Sequence, residues 1–496
     1  MALKQVTVNK ITRRRVRVVS NMPSAAPEDH SELKLSKGPL FALCLGVPLL
    51  LALGSFIGTG ARTPNWPDLL TEPAARGAIL AADGTVLAEG NAGFRSYPQG
   101  SLAAQLVGFS GAEQPDGTYG LEGLERKLET RLQAGKNVTL TLDPAMQSIA
   151  QTELARAARL HGAKNGAVVM LEAGTGRVLA SASYPEFDPN TQGTLEDESR
   201  SAISNSPFLA NVEPGSVMKP FVVAALLQSG RLGTHEVLPV ASQVRVGDKT
   251  FTDVSAHEPR LEVKDILRYS SNVGMIRLGE RFSSAELAAW YRQFGFGEGV
   301  ETAFATSERG TINPPETWVP QDHASAVIGQ SMSATALQLA AAYSVFANDG
   351  RYVTPQVVES AVGSGKSVQV LDPAVARELR AMLAYTVDNS GLSTAKIPGV
   401  TLAGKSGSAD LFDTDKGEYI DAGTLSFAGI FPVENPRVVG VMYLQRVKEE
   451  GALSVSVTAP AFGAIGASTV ALWDNVGDDV KINVAGAGDD VALAGR

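Results

Sequence analysis

Three short motifs carry the residues best suited to chemistry. They are Ser216-Val217-Met218-Lys219, Ser270-Ser271-Asn272 and Lys405-Ser406-Gly407, in that order along the chain. A serine hydroxyl becomes a nucleophile when a nearby base removes its proton, and a fixed cation can hold an anionic substrate. The motifs supply a serine with a lysine three positions later, a serine and asparagine pair, and a second lysine. Such a set is typical of acyl transfer through a serine ester, provided that the fold brings the motifs together.

A serine followed by a lysine three positions later is a weak signal alone, because the chain holds three such pairs: Ser31/Lys34, Ser216/Lys219 and Ser393/Lys396. Only Ser216 follows Pro214-Gly215 and precedes an apolar run, which predicts a buried helix with a turn at its start. On one helical face, Ser216 and Lys219 would lie close enough to exchange a proton. We therefore predict Ser216 as the nucleophile. The alternative is a polar helix start beside a lysine that reaches towards solvent.

Charge and hydropathy divide the chain near its start. Residues 1–38 carry eight Lys/Arg and three Asp/Glu, whereas the 496-residue chain has a formal net charge of −9. Between Lys37 and Arg62 lie 24 uncharged residues, enough to cross a bilayer core of about 30 Å. The basic residues before them predict a single-pass anchor in the cytoplasmic (inner) membrane, with the N-terminus inside and the bulk exported. A cleaved signal peptide is the alternative, but 37 leading residues favour an uncleaved anchor.

Cysteine and histidine usage limits the remaining classes of function. The only cysteine, Cys44, lies in the predicted anchor, so the exported part has no disulfide and must be stabilised by its core. The five histidines are scattered without the spacing of a metal site. We therefore expect no cofactor, no metal and no nucleic-acid partner.

The chain divides into five predicted segments. They are a basic cytoplasmic tail (1–37), a transmembrane anchor (38–61), a linker with a small β-rich pedestal (62–142), a large domain (143–475) and a loose C-terminal tail (476–496). In the pedestal, residues 76–88 predict two strands around the Asp83-Gly84 turn. Pro64, Pro67 and Pro73 predict that residues 62–75 form a stiff linker after the anchor.

The large domain begins and ends with strands and carries helices between them. The predicted elements are a helix at 144–160, a hairpin at 166–182, the helix after Ser216, helices within 262–295, a helix at 334–348, strands at 400–409, 424–432 and 436–445, and a helix at 459–475. This order predicts an α+β domain in which one sheet is sandwiched by helices.

The motifs and their surroundings resemble the class B penicillin-binding proteins, the membrane-anchored transpeptidases of bacterial cell-wall synthesis. The resemblance covers about residues 76–475 and includes Arg-Gly-x-Ile at 76–79, Gly-Leu-Glu at 120–122, Tyr184-Pro185, and Asn-Asp-Gly at 348–350. It implies the serine β-lactamase/penicillin-binding transpeptidase fold, with an antiparallel sheet between helices, a small β-rich pedestal and one transmembrane helix. About 80 residues separate the anchor from the large domain, too few for the glycosyltransferase domain of class A relatives.

The resemblance also implies a role for each catalytic residue. Ser216 would attack a peptidoglycan stem peptide or a β-lactam, with Lys219 as a neutral base. Ser270 would relay a proton to the leaving amine, and Asn272 would hold the substrate amide and the lysine. Burial and a neighbouring cation both lower the pKa of a lysine. We therefore expect opposed states, with Lys219 ready to lose its proton and Lys405 charged.

The third motif is implied to bind the substrate. Lys405 and Ser406 would hold a substrate carboxylate, and Ser406 stands where many members have threonine, which also supplies a hydroxyl. Gly407 belongs to the same substrate-binding strand. The backbone N–H groups of Ser216 and Ser408 would form the oxyanion hole.

Two other functions remain open at this point. A serine β-lactamase would share the acylation but needs a group that activates water, and the nearest Glu-x-x-x-Asn candidate, Glu308 with Asn313, is one residue too widely spaced. A non-catalytic scaffold that activates a membrane glycosyltransferase is the other alternative. The resemblance makes such a polymerase a partner in any case, with the anchor and the pedestal as the contact. It leaves open whether the protein serves division or elongation.

Overall fold

The computed structural model describes residues 75–476, apart from 93, 195–199, 303–306, 414–417 and 449–450. The predicted cytoplasmic tail (1–37), the anchor (38–61) and nearly all of the loose tail (476–496) lie outside the described residues. Among the helices that are described, none is long and apolar enough to cross a membrane.

Strands and short helices alternate along the described chain. The strands are β1 (Ile79–Leu80), β2 (Val86–Asn91), β3 (Phe94–Ser96), β4 (Val138–Thr139), β5 (Asn165–Glu172), β6 (Val178–Tyr184), β7 (Val237–Pro239), β8 (Gln243–Val246), β9 (Lys249–Thr252), β10 (Arg260–Glu262), β11 (Thr311–Ile312), β12 (Met332–Ser333), β13 (Arg351–Val353), β14 (Ser367–Gln369), β15 (Ala403–Asp413), β16 (Glu418–Phe431) and β17 (Val438–Gln445).

The α-helices are α1 (Ala104–Val107), α2 (Gly123–Lys127), α3 (Glu129–Gln133), α4 (Pro144–Leu160), α5 (Arg200–Ile203), α6 (Ser206–Leu209), α7 (Lys219–Gln228), α8 (Val263–Arg268), α9 (Asn272–Gly279), α10 (Ser284–Gln293), α11 (Pro320–Val327), α12 (Ala336–Ala347), α13 (Pro373–Asp388) and α14 (Thr458–Val476). Single 3₁₀ turns occur at Pro189–Thr194, Gly215–Met218, Pro315–Thr317, Glu359–Ala361 and Gly391–Ala395.

A five-stranded antiparallel sheet with the order β15-β16-β17-β5-β6 lies at the centre of the large domain. Side chains alternate between the two faces of a strand. In β5, Val169 and Leu171 join one apolar cluster, while Val168 and Met170 join another on the opposite face. Helices cover both clusters, so the predicted sheet between helices is confirmed.

One face of the sheet is covered by α4 and α14. Met146 of α4 and Phe462 of α14 pack in the same cluster as Phe427 of β16. Asp143 caps α4, because its side chain accepts hydrogen bonds from the N–H groups of the first turn. Both helices fall where the sequence predicts them.

The other face carries α12 and α7, and α7 begins at Lys219 of the first motif. Every residue of α12 is buried, which is typical of a helix at the centre of a large domain. Phe221 of α7 stacks edge-on against Tyr343 of α12 with ring centroids 5.2 Å apart. Tyr343 also donates a hydrogen bond from its hydroxyl to the Val217 carbonyl at 2.7 Å. Tyr343 of α12 thus holds the start of α7 in place.

The pedestal contains a small sheet with the order β3-β2-β1-β4. As predicted, β1 and β2 pair antiparallel around the Asp83-Gly84 turn, and Gly84 has the positive φ of 88° that this turn requires. Arg76 pairs with the buried Glu125 at 2.9 Å and also with Glu129 at 2.8 Å. The Arg-Gly opening at 76–77 and the segment 123–129 therefore meet in one ion-pair network.

The pedestal and the large domain share a core. Ile79, Leu140 and Val178 belong to one apolar cluster. The Thr141 hydroxyl oxygen lies 2.9 Å from the carbonyl oxygens of both Val178 and Gln356 and can donate its single proton to either. The described residues of the pedestal and the large domain accordingly form one unit.

Several two-stranded ribbons have no counterpart in the sequence prediction. They pair β7 with β10, β8 with β9, β11 with β12, and β13 with β14. Each strand has two to four residues, and in β8 and β9 most of the side chains are exposed. Short exposed strands lack the apolar alternation that a sequence prediction needs.

Candidate active site

Ser216 lies in the 3₁₀ turn Gly215–Met218, directly before α7. The sequence predicts an α-helix here, and the structure places a tighter turn at its start. Gly215 has φ 63°, and an added Cβ would lie 2.7 Å from the Ser408 carbonyl oxygen. Only glycine allows this approach of the nucleophile turn to strand β15. Ser216 is half-buried and lines an open cleft.

Lys219 is fully buried beneath the second motif. Its Nζ donates to the Ser270 carbonyl at 2.6 Å and to Asn272 Oδ1 at 2.7 Å, and it lies 3.3 Å from Ser270 Oγ. In the described part of the chain, its hydrogen bonds go to these residues and none goes to Ser216. Burial first, and the charge of Lys405 second, hold the pKa of Lys219 well below its ordinary value, while Asp253 opposes them.

Ser270 is held in a left-handed backbone conformation with φ 53°. A residue other than glycine carries a cost of about 1–2 kcal/mol in this conformation. It turns both the carbonyl and the hydroxyl of Ser270 towards the lysines. Lys405 Nζ donates to Ser270 Oγ at 2.9 Å, so the two lysines contact the same hydroxyl.

Lys405 lies on β15 and is almost completely buried. Its Nζ also donates to the Ser406 carbonyl at 3.0 Å. Burial lowers the pKa of Lys405 to about 7. The shift has one cause, desolvation, whereas the pKa of Lys219 is lowered by burial and also by the charge of Lys405. The expectation of a charged Lys405 beside a neutral Lys219 stays a prediction.

The third motif forms the part of β15 that touches the nucleophile turn. An added Cβ at Gly407 would lie 2.5 Å from the Pro214 carbonyl oxygen and closer still to Ser426 Oγ. Gly407 thus packs behind the cleft, whereas Ser406 and Ser408 line it together with Ser216. Ser408 Oγ lies 3.0 Å from Ser454 Oγ, which itself contacts the Gly407 carbonyl.

The sequence analysis missed Asp253 and His257, which support the second motif. Asp253 Oδ1 accepts hydrogen bonds from the N–H groups of Asn272 at 2.5 Å and Val273 at 3.0 Å. Its Oδ2 accepts from Ser271 Oγ at 2.6 Å and lies 2.8 Å from His257 Nε2. The carboxylate caps α9, a favourable place for a negative charge. The loop from 253 to 259 has no motif that could have revealed this contact.

The other Ser-x-x-Lys pairs do not form comparable sites. Ser393 lies in the 3₁₀ turn Gly391–Ala395, and Lys396 is about half exposed and pairs with Asp388 at 2.8 Å. Neither Ser393 nor Lys396 lines the cleft that contains Ser216. Ser31 lies outside the described residues.

The cleft above Ser216 has a volume of about 380 Å³. The residues that line it include Ser216, Ser270, Asn272, Lys405, Ser406 and Ser408 and, around them, Val254, Arg268, Tyr269, Ile328, Gln330, Asn389, Leu392, Leu453 and Val455. None of the described residues lining it is acidic. Glu308, the candidate for activating water, is exposed and does not line this cleft. The described residues contain no cluster of three or more His, Cys, Asp or Glu that could hold a metal ion.

The antiparallel sheet, the Ser-x-x-Lys turn before a buried helix and the lysine on the edge strand are together typical of the penicillin-binding and β-lactamase class of serine acyl-transfer proteins. Residues 166–466 match the family model for the penicillin binding protein transpeptidase domain. The chain belongs to this family, and its predicted resemblance to class B penicillin-binding proteins is confirmed.

Individual relatives agree with this assignment. The chain is 30% identical over 398 residues to the probable peptidoglycan D,D-transpeptidase PenA of Neisseria gonorrhoeae, covering 75% of this chain and 67% of PenA. It is 30% identical over 438 residues to penicillin-binding protein PbpB of Mycobacterium tuberculosis, covering 79% of this chain and 64% of PbpB.

Solved structures show the same fold. The crystal structure of apo penicillin-binding protein 3 from Mycobacterium tuberculosis matches with a TM-score of 0.72 and 31% identity, over 82% of this chain and 97% of that one. The structure of the same mycobacterial protein complexed with ampicillin matches with a TM-score of 0.71 and 30% identity, over 82% of this chain and 96% of that one.

Proposed function

We propose that this protein is a peptidoglycan D,D-transpeptidase that cross-links stem peptides through an acyl-enzyme on Ser216. The observation that carries the proposal is the Ser270 hydroxyl, which contacts the buried lysines of both other motifs beside the cleft that exposes Ser216. Membership of the transpeptidase family and the names of the relatives support the same activity.

In the first step, Ser216 Oγ attacks the carbonyl of the penultimate D-Ala, and the serine proton passes to Lys219. The low pKa of Lys219 makes its neutral form available for this transfer. The amide bond then breaks, the terminal D-Ala leaves with a proton relayed through Ser270, and the peptide remains as an ester on Ser216. In the second step an amine of another stem peptide attacks the ester, which forms the cross-link and restores the serine.

The third motif has a binding role in this proposal. Lys405 in its protonated form, with Ser406, holds the carboxylate of the terminal D-Ala, and Gly407 keeps the strand close to the nucleophile turn. The N–H groups of Ser216 and Ser408 stabilise the oxyanion that forms on attack. A carboxylate bound at Lys405 also favours its charged form, because a neighbouring negative charge raises the pKa of a lysine.

A β-lactamase is less well supported than a transpeptidase. The β-lactamase alternative calls for a glutamate that activates water for deacylation, and the described cleft residues include no Asp or Glu. A penicilloyl ester on Ser216 would therefore persist, which makes β-lactams inhibitors of this protein. A scaffold function is compatible with catalysis.

The proposed function also includes a location in the membrane and a protein partner that makes glycan strands. Residues 38–61 would anchor the protein in the cytoplasmic membrane with the transpeptidase domain outside. Cross-linking needs newly made glycan strands, so a membrane glycosyltransferase is the expected partner, with the anchor and the pedestal as the contact.

Labelling of the detergent-solubilised full chain with a fluorescent penicillin tests the proposal. We expect wild type and Ser393→Ala to bind one label that persists for hours, and Ser216→Ala to bind none. Ser393→Ala is the matched control because it removes the serine of another Ser-x-x-Lys pair. Label that clears within seconds would favour a β-lactamase, and equal labelling of Ser216→Ala would reject Ser216 as the nucleophile.

Transfer is distinguished from hydrolysis in a second assay. A peptide that ends in D-Ala-D-Ala is incubated with the enzyme and a D-amino acid as acceptor, and the products are separated by mass. We expect D-Ala release with exchange of the acceptor into the peptide. Release without exchange would indicate a hydrolase.

A further inference from the structure

The Asp253 carboxylate connects the second motif to a histidine outside the three motifs. It accepts hydrogen bonds from Ser271 Oγ and from the N–H groups of Asn272 and Val273, and it faces His257 Nε2. The side chains of Asp253 and His257 are only 3% and 4% exposed. A buried carboxylate with this many donors fixes the turn that they belong to.

Both ring nitrogens of His257 face oxygen atoms that can only accept. Nε2 lies 2.8 Å from Asp253 Oδ2, and Nδ1 lies 2.7 Å from the Glu258 carbonyl oxygen. A neutral imidazole has a single N–H and would leave one of these contacts between two acceptors. The geometry therefore requires the doubly protonated ring, a cation beside Asp253.

Glu258, whose negative charge favours a positive imidazole, and Tyr269 also lie beside His257. The Tyr269 ring lies 5.8 Å from the imidazole and donates its hydroxyl to Glu258 Oε2 at 3.1 Å. Arg268 is the nearby cation, and it stacks on the Tyr269 ring at 4.1 Å. Burial opposes protonation of the imidazole, but the Glu258 carbonyl and the Asp253 carboxylate raise the pKa of His257 above its ordinary value.

We propose that His257 is a positioning residue for acylation: its cation holds Asp253, and through it the Ser270-Ser271-Asn272 turn that surrounds Lys219. The inference rests on the proposed function. His257 touches neither substrate nor Ser216, so it acts through the turn, whose Ser270 carbonyl and Asn272 Oδ1 hold the Lys219 Nζ.

Loss of the His257 proton lowers the rate of acylation in two ways. One of the two nitrogen–oxygen contacts becomes a contact between acceptors, which loosens the turn. The Asp253 charge also becomes less compensated, and that charge raises the pKa of Lys219, so less of the lysine is neutral. Because the pKa of His257 is raised, its contribution is complete below about 6.5, the ordinary value, and disappears as the pH rises through the higher folded value.

The test compares second-order rates of fluorescent-penicillin labelling for the full chain between pH 5.5 and 9.5. For His257→Gln we expect a rate about 10- to 100-fold below wild type at pH 6, with the ratio approaching one at pH 9.5. Titration of Lys405 is common to both proteins and largely cancels in this ratio, whereas a change in the pKa of Lys219 is part of the expected effect. His235→Gln is the matched control, since His235 also pairs with a carboxylate, Glu262, but is 83% exposed.

Two further variants separate positioning from folding. His257→Lys keeps a cation, so we expect it to recover part of the lost labelling rate. The recovered rate should not decline over the pH range in which His257 loses its proton in the wild type. On an Asp253→Asn background, His257→Gln should have little further effect, because the two residues act on the turn as one unit. Thermal unfolding of each variant shows whether it is folded at the assay temperature.

The outcomes are distinct. A His257→Gln deficit that is the same at every pH, or that persists undiminished on the Asp253→Asn background, would mean a packing role and would overturn the proposal. Wild-type labelling with no effect of His257→Gln would overturn this inference alone. Failure of the wild type to label at Ser216 would overturn the proposed function and this inference with it.

Discussion

At the scale of single residues, the site depends on one hydroxyl that contacts two buried lysines. Ser270 Oγ lies 2.9 Å from Lys405 Nζ and 3.3 Å from Lys219 Nζ. With Lys219 neutral, hydrogen bonds can run in one direction, from Lys405 to Ser270 and from Ser270 to the lone pair of Lys219. A proton can follow this path without water.

Removing the Ser270 hydroxyl should therefore slow acylation while leaving the fold intact. For Ser270→Ala we expect the second-order rate of penicillin labelling to fall by about 10²-fold, the usual size of a lost proton transfer. Ser229→Ala, at the exposed end of α7, is the control. Unchanged labelling of Ser270→Ala would exclude the hydroxyl from the proton path.

The buried Lys405 should make stability depend on pH. Because burial lowers its pKa to about 7, the unfolded chain binds more protons at this position than the folded chain between pH 7 and about 10.5. The contribution of Lys405 to the free energy of unfolding therefore increases as the pH rises through that window. Lys405→Met lacks this pH-dependent contribution. We expect the Tm advantage of Lys405→Met to be largest near pH 6.5 and to shrink by pH 9.5.

The control for this measurement is Lys396→Met, because Lys396 is about half exposed and paired with Asp388. Its Tm difference from wild type should stay nearly constant between the two pH values. A Tm difference for Lys405→Met that is equally constant would show that Lys405 titrates as an ordinary lysine.

The sequence predicts residues with a strong local pattern better than residues that act through space. Ser216, Lys219 and Lys405 stand in motifs with fixed spacing, so their chemistry is visible without a structure. Asp253 and His257 come from a loop between two short ribbons, and they become relevant only where that loop meets α9. The reduced pKa of Lys405 likewise depends on burial, which spacing does not reveal.

At the scale of elements, the site is assembled where strand β15 crosses the turn before α7. Ser426 Oγ donates to the Pro214 carbonyl at 3.2 Å, and Gly407 leaves no room for a side chain between the strand and the turn. Long elements with clear periodicity, such as α4 and the strands of the central sheet, match the sequence prediction. The 3₁₀ turn at Ser216 does not, since tertiary contacts from α12 and β15 decide its geometry.

Gly407→Ala should push strand β15 away from the turn before α7, because an added Cβ has no room between them. We expect a loss of about 1–3 kcal/mol in the free energy of unfolding, as for an overpacked core, and a labelling rate reduced by more than the fraction of unfolded protein explains. Gly233→Ala serves as the control, because its nearest contact to an added Cβ is 3.8 Å away and its φ is not positive. If Gly407→Ala labels like wild type, the close approach is not required for acylation.

At the scale of the whole molecule, the pedestal and the transpeptidase domain are joined by a continuous core. Ile79 and Leu140 are fully buried in the same cluster as Val178, and Gln151 of α4 accepts a hydrogen bond from the N–H of Ala103 at 2.9 Å. The sequence predicts the boundary at 142/143 from a change in pattern, but it does not reveal how much apolar surface crosses that boundary.

A chain that begins at Asp143 should therefore be less stable than one that begins at residue 72, the first residue of the unit. Deleting the pedestal exposes the apolar residues that it covers, and we expect Tm to fall by roughly 5–10 °C, equivalent to a few kcal/mol. Scanning calorimetry of the two chains makes the comparison. Equal Tm values would mean that the transpeptidase domain folds independently.

The contact between Lys405 and Ser270 also has a consequence for how the molecule is made. These residues are 135 positions apart in the sequence, and contacts that close long loops form late because the chain must first lose much of its freedom. During refolding, helices can recover before strand β15 reaches the turn Gly215–Met218 that contains Ser216. Labelling by penicillin would then recover more slowly than the helical signal in circular dichroism. The rate of labelling during refolding would therefore report the formation of the active site, the final stage of folding.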